Sequence, residues 1–213
     1  MANDVDISNL AVAHLGDTAN ITSIDPPEGS VQAERAARYY PIARDSLLEM
    51  RDWDFSIRRQ SGASLDIDLP PPWAYAYAIP DDCLAVLGVY EEEYLADIAV
   101  ATGNSVSVTP QPFIIEIDDT TDSKVIFTNV ENAVIRFKAR VTDAARFSSL
   151  FVTCLSYLLA SYLAGPTYKG KAGAQMAKEM LQTCMAFLPE AARHDANQNY
   201  QPVVHSPAWI SNR

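Results

Sequence analysis

Carboxylates gather at three places in the sequence: Asp81-Asp82, Glu91-Glu92-Glu93 and Asp118-Asp119. Two acids set several ångströms apart across a cleft, in environments that separate their pKa values, would make a glycosidase-type acid and base. Adjacent acids in polar turns instead share one solvated environment, which supplies neither role. His14, His194 and His205 show no H-x-H or H-x-x-x-H spacing. Cys83, Cys154 and Cys184 show no C-x-x-C, so neither a zinc site nor a redox motif is expected. The G-x-S-x-G, P-loop and G-x-G-x-x-G patterns are absent, and no nucleophile has an identifiable base. The residues therefore predict no catalytic side chain, no metal and no cofactor, hence no enzyme. The enzymatic alternative is a carboxylate-dependent cell-wall hydrolase, with Asp81 and Asp118 as its test positions.

Positive charge offers a second kind of chemistry. Arg136, Lys138 and Arg140 alternate along one strand face and could touch phosphate. Cross-strand pairing with Glu116 and Asp118 is the expected use of these cations. Arg58-Arg59 is read as a solvated or partner-facing corner. The formal charge is −11, split as −6 over residues 1–69, −7 over 70–140 and +2 over 141–213. Such a chain binds nucleic acid poorly, because that affinity comes mainly from lysine and arginine releasing counterions. An acidic wall would discourage passing DNA from sticking. The cysteines are expected to be reduced, and the N-terminus has no secretion signal. Residues 147–165, FSSLFVTCLSYLLASYLAG, carry no charge and reach membrane-spanning length. Their serines, threonine and tyrosines, without flanking basic clusters, predict a buried helix and no membrane partner.

The elements that must position these residues follow from period. Asn9–Gly16 reads as a short helix with a glycine stop. Ser30 N-caps a longer helix to about Met50, with Ala33, Ala36, Ala37, Tyr40, Ala43, Leu47 and Met50 on one face. Pro41 is expected to kink or split it. Beyond residue 80 the period becomes two: strands are expected at 84–90, 95–101, 105–109, 113–118, 124–130 and 133–141, with a polar turn at 118–123. Thr142 or Asp143 then caps a helix to about Ala164. Ser149, Thr153, Ser156 and Ala160 make a small-residue stripe on it, read as packing within one subunit. A last helix from about Ala172 carries Ala177, Met180, Leu181, Cys184 and Leu188, and Pro189 is expected to break or restart it. The fold class is thus α+β: a helical bundle of residues 1–80 and 141–196, an inserted antiparallel β domain of 81–140, and an extended arm of 197–213.

The stretch PPPWAYAYAIPDDCL at 70–84 reads as the joint between bundle and sheet. Pro70, Pro71 and Pro72 would stiffen it. Alternation would send Trp73, Tyr75 and Tyr77 to one side, against Trp53 and Phe55.

Several stretches in order carry a resemblance. They are Asn9-Leu10-Ala11 with Leu15-Gly16, Tyr39–Leu48, Trp53–Arg59, Pro71–Tyr77, Ile79–Leu84, and Ala139–Asp143 with Phe147. Over roughly residues 7–190 the chain resembles the head-to-tail adaptor, or tail tubular protein A, of short-tailed bacteriophages. The resemblance implies a virion structural protein of the tail and neck, assembled in the host cytoplasm. It implies a ring, a dodecamer, bound to the portal on one side and to a tail nozzle or next tail ring on the other, through which the genome is ejected without sequence-specific binding. A head-completion connector of a long-tailed phage is the near alternative, and a helical binding module with a β insert the remaining one. On this reading the Asp118, Asp119 and Asp122 turn faces the tail-side partner. Pro71, Pro72, Trp73, Tyr75 and Tyr77 form the structural joint. The arm after residue 196 matches none of the motifs; Tyr200, Pro202, Val203, Trp209 and Ile210 are placed at a portal or subunit contact.

Overall fold

A computed structural model describes residues 2–18, 20–92, 109–119 and 122–197. The fold is α+β and divides into two compact units. Among the described residues, those up to Ser56 and those of 140–197 form a helical unit; Ile57–Ala139 form a β unit. The stretch 57–80, expected in the bundle, therefore belongs with the strands.

In the helical unit, α1 spans Asp4–His14 and α2 Val31–Met50. After a 3-10 turn at Asp54–Ser56 the chain enters the β unit; it returns for α3, Ser149–Thr167, and α4, Lys171–Ala196. Helix α1 starts earlier than its apolar pattern suggests, because Asn3 and Asp6 form a reciprocal capping box at its N-terminus. Asn9 on α1 pins the following loop, donating to the Ile21 carbonyl (2.8 Å) and accepting from its N–H (2.7 Å). Ser30 caps α2 as expected, its hydroxyl accepting from Ala33 N–H at 3.1 Å.

Helix α3 is the centre of this unit: α1, α2 and α4 all pack on it. Phe151, Leu155, Leu158, Leu159 and Leu163 are buried, each contributing about 2 kcal/mol of apolar transfer. It is long and apolar enough to cross a membrane, yet 56% of its apolar window is buried against its neighbours. The small stripe divides: Ser156 and Ala160 are fully buried, Thr153 half-buried and Ser149 exposed. Ser156 meets α1, its Oγ 3.1 Å from His14 Nε2.

Several helix boundaries differ from expectation. Asp143 caps only a 3-10 turn, Ala144–Arg146; Phe147 and Ser148 are extended, and Ser148 caps the α-helix proper through Phe151 N–H. Gly165-Pro166 does not end α3, which runs to Thr167. Pro41 does not split α2, and Pro189 neither breaks nor restarts α4. Both prolines are exposed, so each costs one donor on the solvent side while the opposite face stays packed. On α2, Met50 is exposed and Ala37 half-buried, while Leu48 and Arg44 take buried places. Leu181 on α4 is also exposed, at the margin of the face that covers α3.

The β unit has two antiparallel sheets. One has the order β1 (Ile57–Ser61), β7 (Val134–Ala139), β4 (Cys83–Tyr90). The other runs β2 (Ala63–Ser64), β3 (Tyr75–Ala78), β6 (Ser123–Thr128), β5 (Phe113–Asp118). A shared core of Tyr77, Val89, Ile126, Ile135, Phe137 and Ala139 draws on strands of both sheets. The strand expected at 95–101, and that expected at 105–109 up to residue 108, lie outside the described residues; Thr109 is described and is not in a strand.

The proline-aromatic stretch folds entirely within this unit. Pro71 and Pro72 form a turn before β3, which begins only at Tyr75. Strand alternation therefore governs Tyr75 and Tyr77 but not Trp73. Tyr77 enters the inter-sheet core with Tyr75 packed against it, and its hydroxyl donates to the Val130 carbonyl (2.9 Å). Trp73 joins Ala76, Val125 and Phe127 in a separate cluster with Leu65 and Ile67. Trp53 and Phe55 find their partners within the helical unit: Trp53 meets Phe151 edge-on at 4.9 Å, and Phe55 meets Phe151 at 5.1 Å and Phe147 at 5.8 Å. The crossovers between the units thus fall at residues 56–57 and 139–140 and not in the proline stretch. Short-range period could not reveal that residues 57–64 pair as strands and carry the boundary with them.

Candidate functional site

The acids named from the sequence do not converge on one centre. Asp81 and Asp82 line a cleft of about 370 Å³ with Gln60, Ser61 and Ile135. Asp82 pairs with Arg58, which accounts for half of the basic corner. Glu91 and Glu92 line a second cleft of about 400 Å³ with Glu131, Gln111, Thr128 and Asn129. Glu93 lies outside the described residues. Asp118 ends β5, Asp119 and Asp122 sit in the turn beyond it, and they line neither cleft. Asp122 has φ of +50°, the left-handed conformation that aspartate tolerates at a tight turn. Among the described lining residues, neither cleft has a histidine, cysteine or lysine to serve as base or nucleophile. The second, with Glu91, Glu92 and Glu131, is instead a patch of like charge that repels a phosphate backbone.

The basic strand face is used differently from the expectation. β7 is the middle strand of its sheet, between β1 and β4, whereas β5 pairs with β6 in the other sheet. Glu116 and Asp118 are therefore not across from Arg136 or Lys138, whose register partners include Arg59 and Ile57. Lys138 is buried, so β7 is covered on both faces rather than half-buried. Arg140, beyond the strand, pairs with Asp45 at 2.9 Å, and Asp45 also holds Arg44 at 2.8 Å.

Apolar side chains are exposed on both units. Ile115 and Ile117 on β5 are exposed, at 41% and 60%, directly before the acidic turn. On the helical unit, His14, Tyr157 and Phe187 form a stack from three helices, with centroids 4.0 Å and 5.9 Å apart and planes within 12° of parallel. Burial holds the His14 imidazole below its ordinary pKa and so favours the neutral ring. No short motif announces this stack, because its members lie 143 and 30 residues apart in sequence. His194 is exposed on α4; His205 and the five interface residues Tyr200, Pro202, Val203, Trp209 and Ile210 lie outside the described residues.

One buried acid was missed entirely. Asp195, in the last turn of α4, is 3% exposed and accepts a hydrogen bond from Asp54 N–H at 2.6 Å. That bond ties α4 to the 3-10 turn from which the chain leaves the helical unit. Burial raises the Asp195 pKa, the Asp54 N–H lowers it, the Asp54 carboxylate raises it and His194 lowers it, with a net upward shift. An acid whose folded pKa is raised binds more protons folded than unfolded, so its contribution to stability falls as pH rises through that interval. Asp195→Asn keeps an acceptor for the amide and removes the charge. We expect wild type, relative to Asp195→Asn, to lose stability between acid and neutral pH in urea titrations. Asp195→Ala, which orphans the amide, should be about 2 kcal/mol less stable than Asp195→Asn at any pH. A flat difference between wild type and Asp195→Asn across pH would refute the assignment.

The three cysteines are free thiols, with Cys154 and Cys184 buried. The Cys83 thiol is pushed up to about 11, by burial first and then by the Asp82 charge. It is therefore a poor nucleophile near neutral pH. Among the described residues no group of histidine, cysteine and acid side chains is arranged to hold a metal. No protein-family model matches the chain, and no curated protein matches it.

Proposed function

We propose that this chain is a virion structural protein, a head-to-tail adaptor that assembles as a ring between a portal and a tail component. The observation that supports it most is the discontinuous helical unit: both ends of the described chain build one body around α3, and the β unit is an insertion within it. That order agrees with the motifs behind the resemblance, which fall at the start of the chain and at the return into α3. A ring subunit needs two faces at once, one for its neighbours and one for the next ring. On this reading the helical unit serves the ring and the β5–β6 hairpin serves the tail-side partner. Ile115 and Ile117 are its apolar anchors, with Asp119 and Asp122 as the polar rim. DNA passes the acidic chain without being read.

The test is direct. Purified protein, alone or mixed with portal, is expected to give annular particles under negative stain. Portal mixed with the chain and still bare of an added ring would refute the reading. Ile115→Ser with Ile117→Ser should leave the melting temperature within a few degrees, because both side chains are already in water. The same pair should weaken binding of the tail-side ring at least tenfold, about 1.4 kcal/mol. Unchanged binding would remove the hairpin from the interface.

A further inference from the structure

Two buried cysteines have no part in the reading above. Helices α3 and α4 form an antiparallel hairpin joined by the short link between Thr167 and Lys171. Cys154 lies thirteen residues before the end of α3, and Cys184 thirteen residues after the start of α4. With equal rise per residue the two stand level with each other across the seam. Both are 0% exposed. The two thiols are close enough to interact with each other. Cys83, by contrast, belongs to the β unit and packs at the edge of its core.

We infer that Cys154 and Cys184 are a latent dithiol pair, oxidised by a small-molecule disulfide such as oxidised glutathione to a covalent staple between α3 and α4. The exchange runs in two steps. One protein thiolate attacks a sulfur of the small disulfide, expelling one thiolate and leaving a mixed disulfide. The second protein thiolate then attacks the protein-side sulfur and expels the other. Two protein thiols lose two electrons and two protons, and one small disulfide becomes two thiols, so the step balances. Entry requires α4 to lift locally from α3, its main packing partner, and the rate therefore follows that opening. The chain is expected to stay reduced in a glutathione-poised cytosol and to be stapled where thiols are oxidised.

The experiment uses the full chain carrying Cys83→Ser, so that only the pair can react. It is incubated with oxidised glutathione, once folded and once in urea followed by refolding. The expected product is a monomer lighter by two hydrogens, with no thiol left to alkylate. Its melting temperature should be roughly 10 °C above that of the reduced chain. The equilibrium constant for closing the disulfide against glutathione should be at least tenfold larger for the folded chain than in urea. If the native chain reacts too slowly, the product oxidised in urea and refolded decides the matter by its melting temperature. Stable glutathione adducts on both cysteines, disulfide-linked dimers in place of the monomer, or an oxidised chain that melts below the reduced one would each overturn the inference.

Discussion

Trp53→Ala should cost the helical unit about 4 kcal/mol. Trp53 is fully buried just after α2, and its ring meets Phe151 of α3 edge-on at 4.9 Å and Phe55 at 6.0 Å. Truncation opens a cavity at the point where three parts of the unit meet: the end of α2, the 3-10 turn and α3. It also removes the indole N–H that donates to the Leu47 carbonyl at 2.9 Å, leaving a buried acceptor to find water or remain unpaired. With total stabilities of roughly 5–15 kcal/mol, the loss is a large share. The measurement is a urea titration: the midpoint should fall steeply with the slope little changed. Trp73→Ala provides the contrast. Trp73 is only half-buried in the β unit, so its loss should be less than half as large. Equal costs for the two would mean that Trp53 is not the aromatic centre described above.

A comparably large effect is expected from one added methyl group. Gly173 is buried in the first turn of α4, and a Cβ there would lie 1.7 Å from the Tyr168 carbonyl oxygen and 2.8 Å from its carbon. These are backbone atoms and cannot swing aside. Tyr168 is itself fixed, since its N–H closes α3 on the Ala164 carbonyl at 2.8 Å and its hydroxyl donates to the Leu15 carbonyl. Gly173→Ala must therefore displace the start of α4 from the end of α3, at about 3 kcal/mol. For a unit of this size the melting temperature should fall by roughly 10 °C or more. Gly165→Ala is the internal control. Gly165 is helical and exposed, and apart from its chain neighbours nothing lies within 4 Å of an added Cβ. The helix-propensity gain of about 0.5–1 kcal/mol is offset by the restriction Pro166 places on a preceding residue with a Cβ, so alanine should be nearly neutral. The two changes are chemically identical and should differ by about 3 kcal/mol. A Gly173→Ala protein as stable as Gly165→Ala would show that the two helices do not approach as closely as described.

The same contrast explains how much could be read in advance. Ser30 as a cap, alternation at 113–118 and the apolar run of α3 are local signals, each decided by a few neighbouring side chains. Pro41 and Pro189 misled because a proline penalty is local whereas its compensation is not. The buried faces of α2 and α4 gain enough from packing on α3 to carry a missing donor on the solvent side. Arg136, Lys138 and Arg140 misled for a related reason: alternation gives a strand its two faces, but not the neighbours that cover them. The Arg140 partner is Asp45, 95 residues away in sequence.

The Ser30 cap, the alternation at 113–118 and the charge distribution were therefore settled along the chain itself, because they depend on side chains a few residues apart. The unit boundary at Ser56, the seat of Trp53, the Asp54–Asp195 bond and the nearness of Cys154 to Cys184 were decided only in three dimensions. Each depends on segments far apart in sequence, whose meeting is set by the free energy of the whole fold rather than by any local preference.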